Sequence, residues 1–273
     1  MLPALAVAID WDEARSALGR ATAQLTAMLR NCDRPHAPAL GVWDVTELAI
    51  HVSTAIAAVA AMARGTEPLM TNLSQLSVLT EMLVSGETET DLAKVADRID
   101  AGGEDLLGVM NTGSDDTRSW LVAGIEMRLS TLTCHALNEI VVHGHDLARA
   151  MSRPWTISGP QARLVLNGFL FPVLAGLGRA IVDQKAAAGV SASFDVRLRG
   201  GGRTYMTFND GDLTLSDSPV RPVDCHLSVD PAAFLLVAWG RQSQWPAIAR
   251  GQLVAWGRRP WQGVKLRSLV TNP

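Results

Sequence analysis

The stretch SRPWTISGP at Ser152–Pro160 divides this sequence into two parts with different hydrophobic periods. It carries two prolines and a glycine, a composition typical of a linker rather than of a helix or a strand. Apolar residues recur at helical spacing before it, and they alternate with polar residues after it. The sequence therefore predicts a helical domain at 1–152, a linker at 153–160 and an α+β domain at 161–273.

The part before the linker has the pattern of a four-helix bundle. Asp44, followed three residues later by Glu47, predicts a capping box at the start of the second helix. A polar segment at 111–118 separates the third helix from the fourth. We predict the four helices at about Asp10–Arg30, from Asp44 onward, at about Thr90–Met110 and at about Glu126–Met151.

The part after the linker changes from helix to strand along its length. A long helix is predicted at about Gln161–Ala188. Phe194–Arg199 and Thr204–Phe208 then alternate between apolar and polar residues, and the glycines between them favour a turn, so these segments predict a β-meander. The remaining predicted elements are a strand near Cys225–Val229 and short helices near Pro231–Trp239 and Trp261–Leu269.

The composition of the 273 residues limits the class of protein. With 48% hydrophobic and 19% charged residues, the chain can bury a full core and is not of the disordered type. A net charge of −3 argues against a nucleic-acid-binding surface, which needs a basic face. The three cysteines contain no C-x-x-C pair, which argues against a disulfide framework and fits a cytoplasmic location. The longest apolar runs are shorter than the roughly 20 residues of a membrane span, so we expect no membrane association.

The sequence HALNEIVVHGHDLARA, residues 135–150, places polar groups on one face of a helix in an otherwise apolar bundle. His135, Glu139, His143 and Asp146 lie on nearly the same stripe at helical spacing. Burying such a stripe without a partner would cost several kcal/mol, so it either faces water or contacts a charged group such as a divalent cation. Glu139 and His143 stand four residues apart, so both can reach one metal ion, although such pairs are also common on solvated faces.

His51 is a second candidate ligand, on the helix that Asp44 caps. A single histidine there is also consistent with a core residue whose ring is hydrogen-bonded. Together with Glu139 and His143 it makes a set of two histidines and one carboxylate, which suits Zn²⁺ with coordination positions left open for water or substrate. Asp146 is a candidate for holding a ligand imidazole from behind, and a helix cap or salt bridge is the alternative role for it.

Two segments, WDVTELAIH (Trp43–His51) and EIVVHGHDLARA (Glu139–Ala150), resemble the mycothiol-dependent maleylpyruvate isomerase family. The resemblance implies a metal-binding bundle of the DinB type, with His51, Glu139 and His143 as the metal ligands. The segments PVDCHLSVDPAAFLLVAWGR (222–241) and GQLVAWG (251–257) are similar to the sterol-carrier-protein-2-like (SCP2-like) α+β domain often fused to such bundles. His145 stands where relatives usually carry tryptophan, a difference that bears on the substrate rather than on the ligands.

The function that this resemblance implies is that of a zinc-dependent enzyme, or one using another divalent metal, with mycothiol as its low-molecular-weight thiol. In the family's chemistry the thiolate adds to the conjugated double bond of maleylpyruvate, the new single bond rotates, and expulsion of the thiolate gives the trans isomer. Delivery of the thiolate to another electrophile would instead make the protein a thiol S-transferase. The expected partners are a small electrophile and a thiol, in the cytoplasm, without nucleic acid or membrane; the sequence does not fix the oligomeric state.

Two other functions remain open at this point. The C-terminal domain could bind a lipid or another small ligand, with the metal site vestigial. Alternatively a metal-bound hydroxide could act in a hydrolase, because no cysteine lies on the polar stripe and no serine triad is recognisable. Cys134 is expected to be a buried structural thiol. The four tryptophans expected in core and interdomain packing are Trp239, Trp245, Trp256 and Trp261.

Overall fold

The computed structural model describes residues 9–66, 75–115, 118–122 and 125–271. The chain divides into two compact units, of which one spans Asp10–Ile157 and the other begins at Ser158. The first unit is built mainly of helices and the second carries a five-stranded sheet with helices. This arrangement confirms the predicted fold class, a helical bundle followed by an α+β domain.

Four long helices form the core of the first unit. The helices at 11–30 and 45–63 each pack against the helices at 92–112 and 129–150, which is the contact pattern of a bundle. Two short hairpins, β1 with β2 and β3 with β4, complete the unit. The bounds are α1 Trp11–Arg30, β1 Pro38–Leu40, β2 Trp43–Asp44, α2 Val45–Ala63, α3 Leu76–Ser85, α4 Leu92–Thr112, β3 Arg118–Val122, β4 Ile125–Arg128 and α5 Leu129–Ala150.

The capping box predicted at the start of α2 is present. The Asp44 side chain accepts a hydrogen bond from the Glu47 amide, and the Glu47 carboxylate accepts one from the Asp44 amide. These bonds satisfy backbone donors that have no partner inside the helix. The cap fixes where α2 begins and therefore where His51, two turns later, faces.

Three features of the first unit differ from the prediction. Helix α5 begins at Leu129 rather than near Glu126, because 125–128 pair with 118–122 as an antiparallel hairpin. The Asp115 carboxylate accepts a hydrogen bond from the Ser130 amide at 3.0 Å, so a side chain from outside the helix satisfies a donor of its first turn. Helix α3 was not predicted. Helix α4 extends to Thr112, into the segment predicted as a polar loop.

The long helix predicted at Gln161–Ala188 is interrupted and shorter. It consists of α6 (Gly159–Val165), a π-helical segment at 166–170, α7 (Phe171–Leu177) and a 3₁₀ turn that ends at Ile181. Pro172 has no amide hydrogen to continue a regular helix, and the wider π turn lies just before it. Gly178 has a φ of 49°, which ends α7 in a conformation that glycine adopts easily.

The sheet of the second unit has the strand order β7-β6-β5-β8-β9. Strands β5, β6 and β7 form the predicted antiparallel meander, β8 runs parallel to β5, and β9 is antiparallel to β8. Phe194, Val196 and Phe208 are fully buried on one face of the sheet. The bounds are β5 Ser191–Leu198, β6 Arg203–Asn209, β7 Asp212–Ser216, β8 Cys225–Val229, α8 Pro231–Ala238, α9 Gln244–Ala249, β9 Leu253–Trp256 and a 3₁₀ helix Pro260–Leu269.

Three of the four tryptophans expected in packing are exposed. Trp245, Trp256 and Trp261 expose 61%, 39% and 57% of their surface, so the expectation of core packing is wrong for them. They lie on α9, on the edge strand β9 and on the 3₁₀ helix that follows it. Trp256 lies on a strand that, among the described residues, has no neighbouring strand on one side, and the alternation of the sequence does not reveal which strand is at the edge.

Two helical segments of the described chain are long and apolar enough to meet the length and composition of a membrane span. They are Val45–Ala63 and Gly159–Ile181, and 61% and 56% of the apolar window in each is buried within the fold. The core helices of a globular protein meet the same criteria.

Candidate metal centre

The packing of α2 against α5 brings His51 to the polar stripe of α5. His51 Nε2 lies 3.5 Å from Glu139 Oε2, and His143 Nε2 lies 3.4 Å from the same oxygen. One ligand atom from each of the three residues lies within 4.8 Å of the other two. The set that the family resemblance implied is thus assembled from two helices that are far apart in sequence.

These distances suit a shared cation. Nitrogen and oxygen ligands lie about 2.1 Å from zinc, so two ligands of a tetrahedral site are roughly 3.4 Å apart. An ordinary hydrogen bond between nitrogen and oxygen is shorter, about 2.7–3.2 Å. The separations of 3.4 and 3.5 Å therefore match the edge of a coordination tetrahedron better than a direct hydrogen bond. Two imidazoles and one carboxylate are also a donor set that Zn²⁺ accepts.

The three candidate ligand side chains are mostly buried, but each keeps a small part of its surface exposed to solvent. The side chains of His51, Glu139 and His143 expose only 12–17% of their surface. The Trp43 ring lies 5.2 Å from the His51 ring, which in turn meets the His143 ring edge-on at 4.9 Å. Trp43 Nε1 donates a hydrogen bond to Glu81 at 3.3 Å. His51 is thereby restricted by an aromatic neighbour on each side.

Asp146 lies behind His143. Its Oδ2 atom is 3.3 Å from His143 Nδ1, and its side chain has no exposed surface. A carboxylate in this position favours the tautomer with the proton on Nδ1, which leaves the Nε2 lone pair directed toward Glu139. The contact places Asp146 where it can hold the His143 imidazole, and its role toward a metal ligand stays a prediction.

The Glu139 carboxylate presents its two oxygens to different partners. Oε2 faces His51 and His143, while Oε1 lies 3.4 Å from His135 Nε2 and accepts a hydrogen bond from Asn138 Nδ2 at 3.3 Å. The sequence places His135 on the polar stripe but indicates no role for it, and it distinguishes Asn138 only by its place next to Glu139. The contacts made by Oε1 depend on side-chain geometry that helical spacing alone does not give.

The electrostatics of the site favour a positive charge at its centre. Burial alone would raise the pKa of Glu139, but contacts with the three surrounding imidazoles lower it well below its usual value. Burial alone would lower the pKa of His143, but Asp146 and Glu139 raise it to about 9. The carboxylate is thus ionised at neutral pH, and an adjacent cation, either a proton on His143 or a metal ion, balances its charge.

The cysteine next to the stripe is not poised for nucleophilic chemistry. Cys134 is fully buried on α5, and burial raises the pKa of its thiol to about 12, so it remains protonated at neutral pH. His145 is not part of the three-residue cluster among the described residues. Cys134 therefore does not supply a thiolate at this centre.

Comparison with known proteins finds a family model that matches the first unit. The family model described as "Mycothiol maleylpyruvate isomerase N-terminal domain" matches residues 10–148, slightly more than half of the chain and all of the elements that carry the site. No curated protein matches the chain.

Solved structures with a similar fold include that of the mycothiol-dependent maleylpyruvate isomerase. It is 14% identical with a TM-score of 0.54, and the match covers 90% of this chain and 93% of that chain. A mutant of that enzyme with one histidine replaced by alanine is 12% identical with a TM-score of 0.55 over the same shares. These likenesses show that both units share its fold. A ubiquinone synthesis protein, UbiJ-SCP2, matches 31% of this chain and 71% of its own at 13% identity, but its TM-score of 0.26 is too low to show a shared fold.

Proposed function

This chain belongs to the mycothiol maleylpyruvate isomerase N-terminal domain family, and from that premise we propose that it is a divalent-metal enzyme that uses mycothiol to act on a small electrophile. The observation that carries the proposal is the convergence of His51, Glu139 and His143 at the spacing of a tetrahedral site. In this proposal the three residues are the metal ligands and Zn²⁺ is the expected ion. A bound Zn²⁺ would supply Lewis acidity, which stabilises a thiolate near neutral pH.

The residues around the ligands have supporting roles in this proposal. Asp146 fixes the ring orientation and tautomer of His143. His135 and Asn138 hold Glu139 Oε1, which leaves Oε2 facing the two ligand histidines. Trp43 restricts the ring of His51 and adds an apolar surface beside it. A site whose ligands are fixed in this way needs little rearrangement to bind its ion.

The proposed chemistry is the cis–trans isomerisation of a conjugated alkene. The sulfur of the thiolate forms a bond to one alkene carbon, and the π electrons move onto the conjugated carbonyl group. The former double bond rotates as a single bond, the electrons return, and the carbon–sulfur bond breaks to release the thiolate. No atom is gained or lost by the substrate. Thiol S-transfer shares the first step and differs in that the carbon–sulfur bond persists in the product.

A thiol from outside the protein is favoured because Cys134, the cysteine beside the stripe, is buried and protonated. An unreactive Cys134 is equally consistent with a hydrolase in which a water molecule attacks the substrate. The third alternative is a ligand carrier with a vestigial metal centre, and such a carrier does not require stoichiometric metal.

Metal content and turnover together test the proposal. Protein purified without chelator should hold about one divalent ion per chain. His143→Ala should lose most of this metal, whereas the matched variant His145→Ala, on the same helix outside the cluster, should retain it. Equal metal retention in the two variants would reject the ligand assignment, and a metal-free native protein would favour the carrier.

Turnover of maleylpyruvate should require added mycothiol and should vanish in His51→Ala. Substrate consumption that proceeds equally well without thiol would reject the thiol mechanism and favour the hydrolase. A stable thioether product would identify S-transfer in place of isomerisation.

A further inference from the structure

The face of the sheet opposite the apolar core carries a row of polar and aromatic residues. Asp195 on β5 is paired with Tyr205 on β6 and with His226 on β8, and His226 is paired with Trp256 on β9. Paired residues on neighbouring strands point to the same face of a sheet. These side chains belong entirely to the second unit and share no residue with the metal centre.

A buried carboxylate holds two arginines on this face. Arg203 donates from Nε and Nη2 to the two Asp195 oxygens at 2.7 and 2.9 Å, and Arg197 donates from the same two nitrogens to Oδ2 at 2.8 and 2.6 Å. His226 Nδ1 lies 2.7 Å from Oδ2. The Asp195 side chain has no exposed surface, while the two arginine side chains remain nearly half exposed. The buried Asp195 carboxylate therefore fixes both guanidinium groups through Nε and Nη2, and their Nη1 amino groups take no part in these hydrogen bonds.

A second carboxylate is surrounded in the same way. The fully buried Asp224 accepts a hydrogen bond from the Ser193 amide at 3.1 Å and contacts Arg258. Arg221 and Arg259 approach it to 3.7 and 3.8 Å. These three arginine side chains are also about one third to one half exposed.

The face has more positive charge than its own carboxylates balance. Five arginines surround two aspartates, and residues 158–273 contain 13 lysines and arginines against seven aspartates and glutamates, although the whole chain carries −3. One arginine is enough to pair a buried carboxylate, and each further guanidinium repels the first. Guanidinium groups that are fixed side by side, with donors left at the surface, are suited to bind carboxylate or phosphate groups.

The two arginine clusters have a defined spacing. Asp195 is opposite His226, and Asp224 precedes His226 by two residues on the neighbouring chain segment. With strands about 4.8 Å apart and a rise of about 3.3 Å per residue, the Cα atoms of the two aspartates are roughly 8 Å apart. Trp256 adds an apolar surface, because its ring stacks on His226 at 5.5 Å and lies 5.3 Å from the Arg197 guanidinium.

We propose that this face binds a small organic dianion whose two carboxylate or phosphate groups are separated by a hydrocarbon chain long enough to span the two arginine clusters. One anionic group contacts Arg197 and Arg203, and the other contacts the arginines around Asp224. The hydrocarbon between them lies over His226 and Trp256. This binding site is independent of the function proposed for the metal centre.

Calorimetric titration of the metal-loaded full-length protein with linear dicarboxylates, from malonate to suberate, tests the proposal at constant ionic strength. We expect the affinity to peak at the longer acids, whose carboxylates can span the two clusters, and to be about tenfold lower or more for malonate and for butyrate. Competition by inorganic phosphate and by acetate distinguishes the two anion chemistries. If phosphate displaces the best dicarboxylate at a lower concentration than acetate does, phosphate is the preferred group.

Variants test the residues. Arg203→Gln and Arg258→Gln should each weaken the best dicarboxylate by about tenfold or more, since each removes charge-assisted hydrogen bonds from one end of the site. The control is Arg179→Gln, which removes an exposed arginine paired with Asp212 and should leave the affinity unchanged. Affinities that do not depend on chain length, or an equal loss in Arg179→Gln, would overturn the proposal, as would the absence of saturable binding. The chain-length profile is measured on the unmodified protein, so it does not depend on whether a variant folds.

Discussion

Replacing Asp146 tests whether the carboxylate behind His143 positions a metal ligand. Asp146 Oδ2 contacts His143 Nδ1 at 3.3 Å, and the side chain is fully buried. Asp146→Ala leaves His51, Glu139 and His143 in place but frees the ring of His143 to rotate and to exchange its tautomer. The perturbation thus acts on the orientation of a ligand and not on the number of ligands.

The magnitude follows from the contact. Loss of a carboxylate behind a ligand imidazole typically lowers metal affinity by about 10- to 100-fold, which is about 1.4–2.7 kcal/mol. Burial strengthens the contact, but 3.3 Å is long for a charge-assisted hydrogen bond. We therefore expect a loss near about tenfold for Asp146→Asn, which keeps an oxygen acceptor, and nearer to about 100-fold for Asp146→Ala.

The assay is competition for Zn²⁺ against a chromophoric chelator at neutral pH. Asp105→Ala is the matched control, because its carboxylate is exposed and pairs with Arg64 on the surface. Circular dichroism and thermal unfolding of the metal-free variants show whether the bundle is intact. An Asp146→Ala protein that folds normally and binds Zn²⁺ as tightly as the unmodified protein would refute the positioning role.

Three further predictions concern stability. Asp44→Ala should lower the free energy of unfolding by about 1 kcal/mol, because it removes the cap of α2; urea unfolding with Arg20→Ala as a surface control checks this. A Cβ at Gly144 would overlap the Trp155 ring, so Gly144→Ala should destabilise the first unit by about 1–3 kcal/mol, and a melting temperature equal to that of the unmodified protein would contradict that packing. Burial would raise the pKa of Asp195, but Arg203, Arg197 and His226 lower it below its usual value. The ionised Asp195 carboxylate therefore stabilises the fold at pH values above its unfolded pKa of about 3.9, and this stabilisation is lost as the pH falls toward the lower folded pKa. The free energy of unfolding of Asp195→Asn should consequently depend less on pH below about 4 than that of the unmodified protein.

Features that depend on residues a few positions apart could be predicted from the amino-acid sequence. The capping box of Asp44 and Glu47 and the strands at 194–199 and 204–208 arise from local hydrogen bonding and from the period of the side chains, so they could be predicted. The approach of Glu139 and His143 follows from their spacing of four residues on one helix. The family followed from two short segments and is confirmed by the match over residues 10–148. The linker bounds at 153–160 and the metal-ligand assignment stay predictions, the first to be checked by limited proteolysis.

Contacts between groups from distant segments could not be predicted from the sequence, because they depend on how the helices and strands pack. The packing of α2 against α5 brings His51 to Glu139, and it directs each oxygen of Glu139 to different imidazoles. The order of the strands, with β8 beside β5, places His226 next to Asp195 and leaves Trp256 exposed at the edge. The early end of the helix predicted to reach Ala188 depends on the conformation of Gly178. Such contacts join residues that are tens of positions apart, and their formation depends on the burial of apolar faces across the whole unit, which local sequence patterns do not encode.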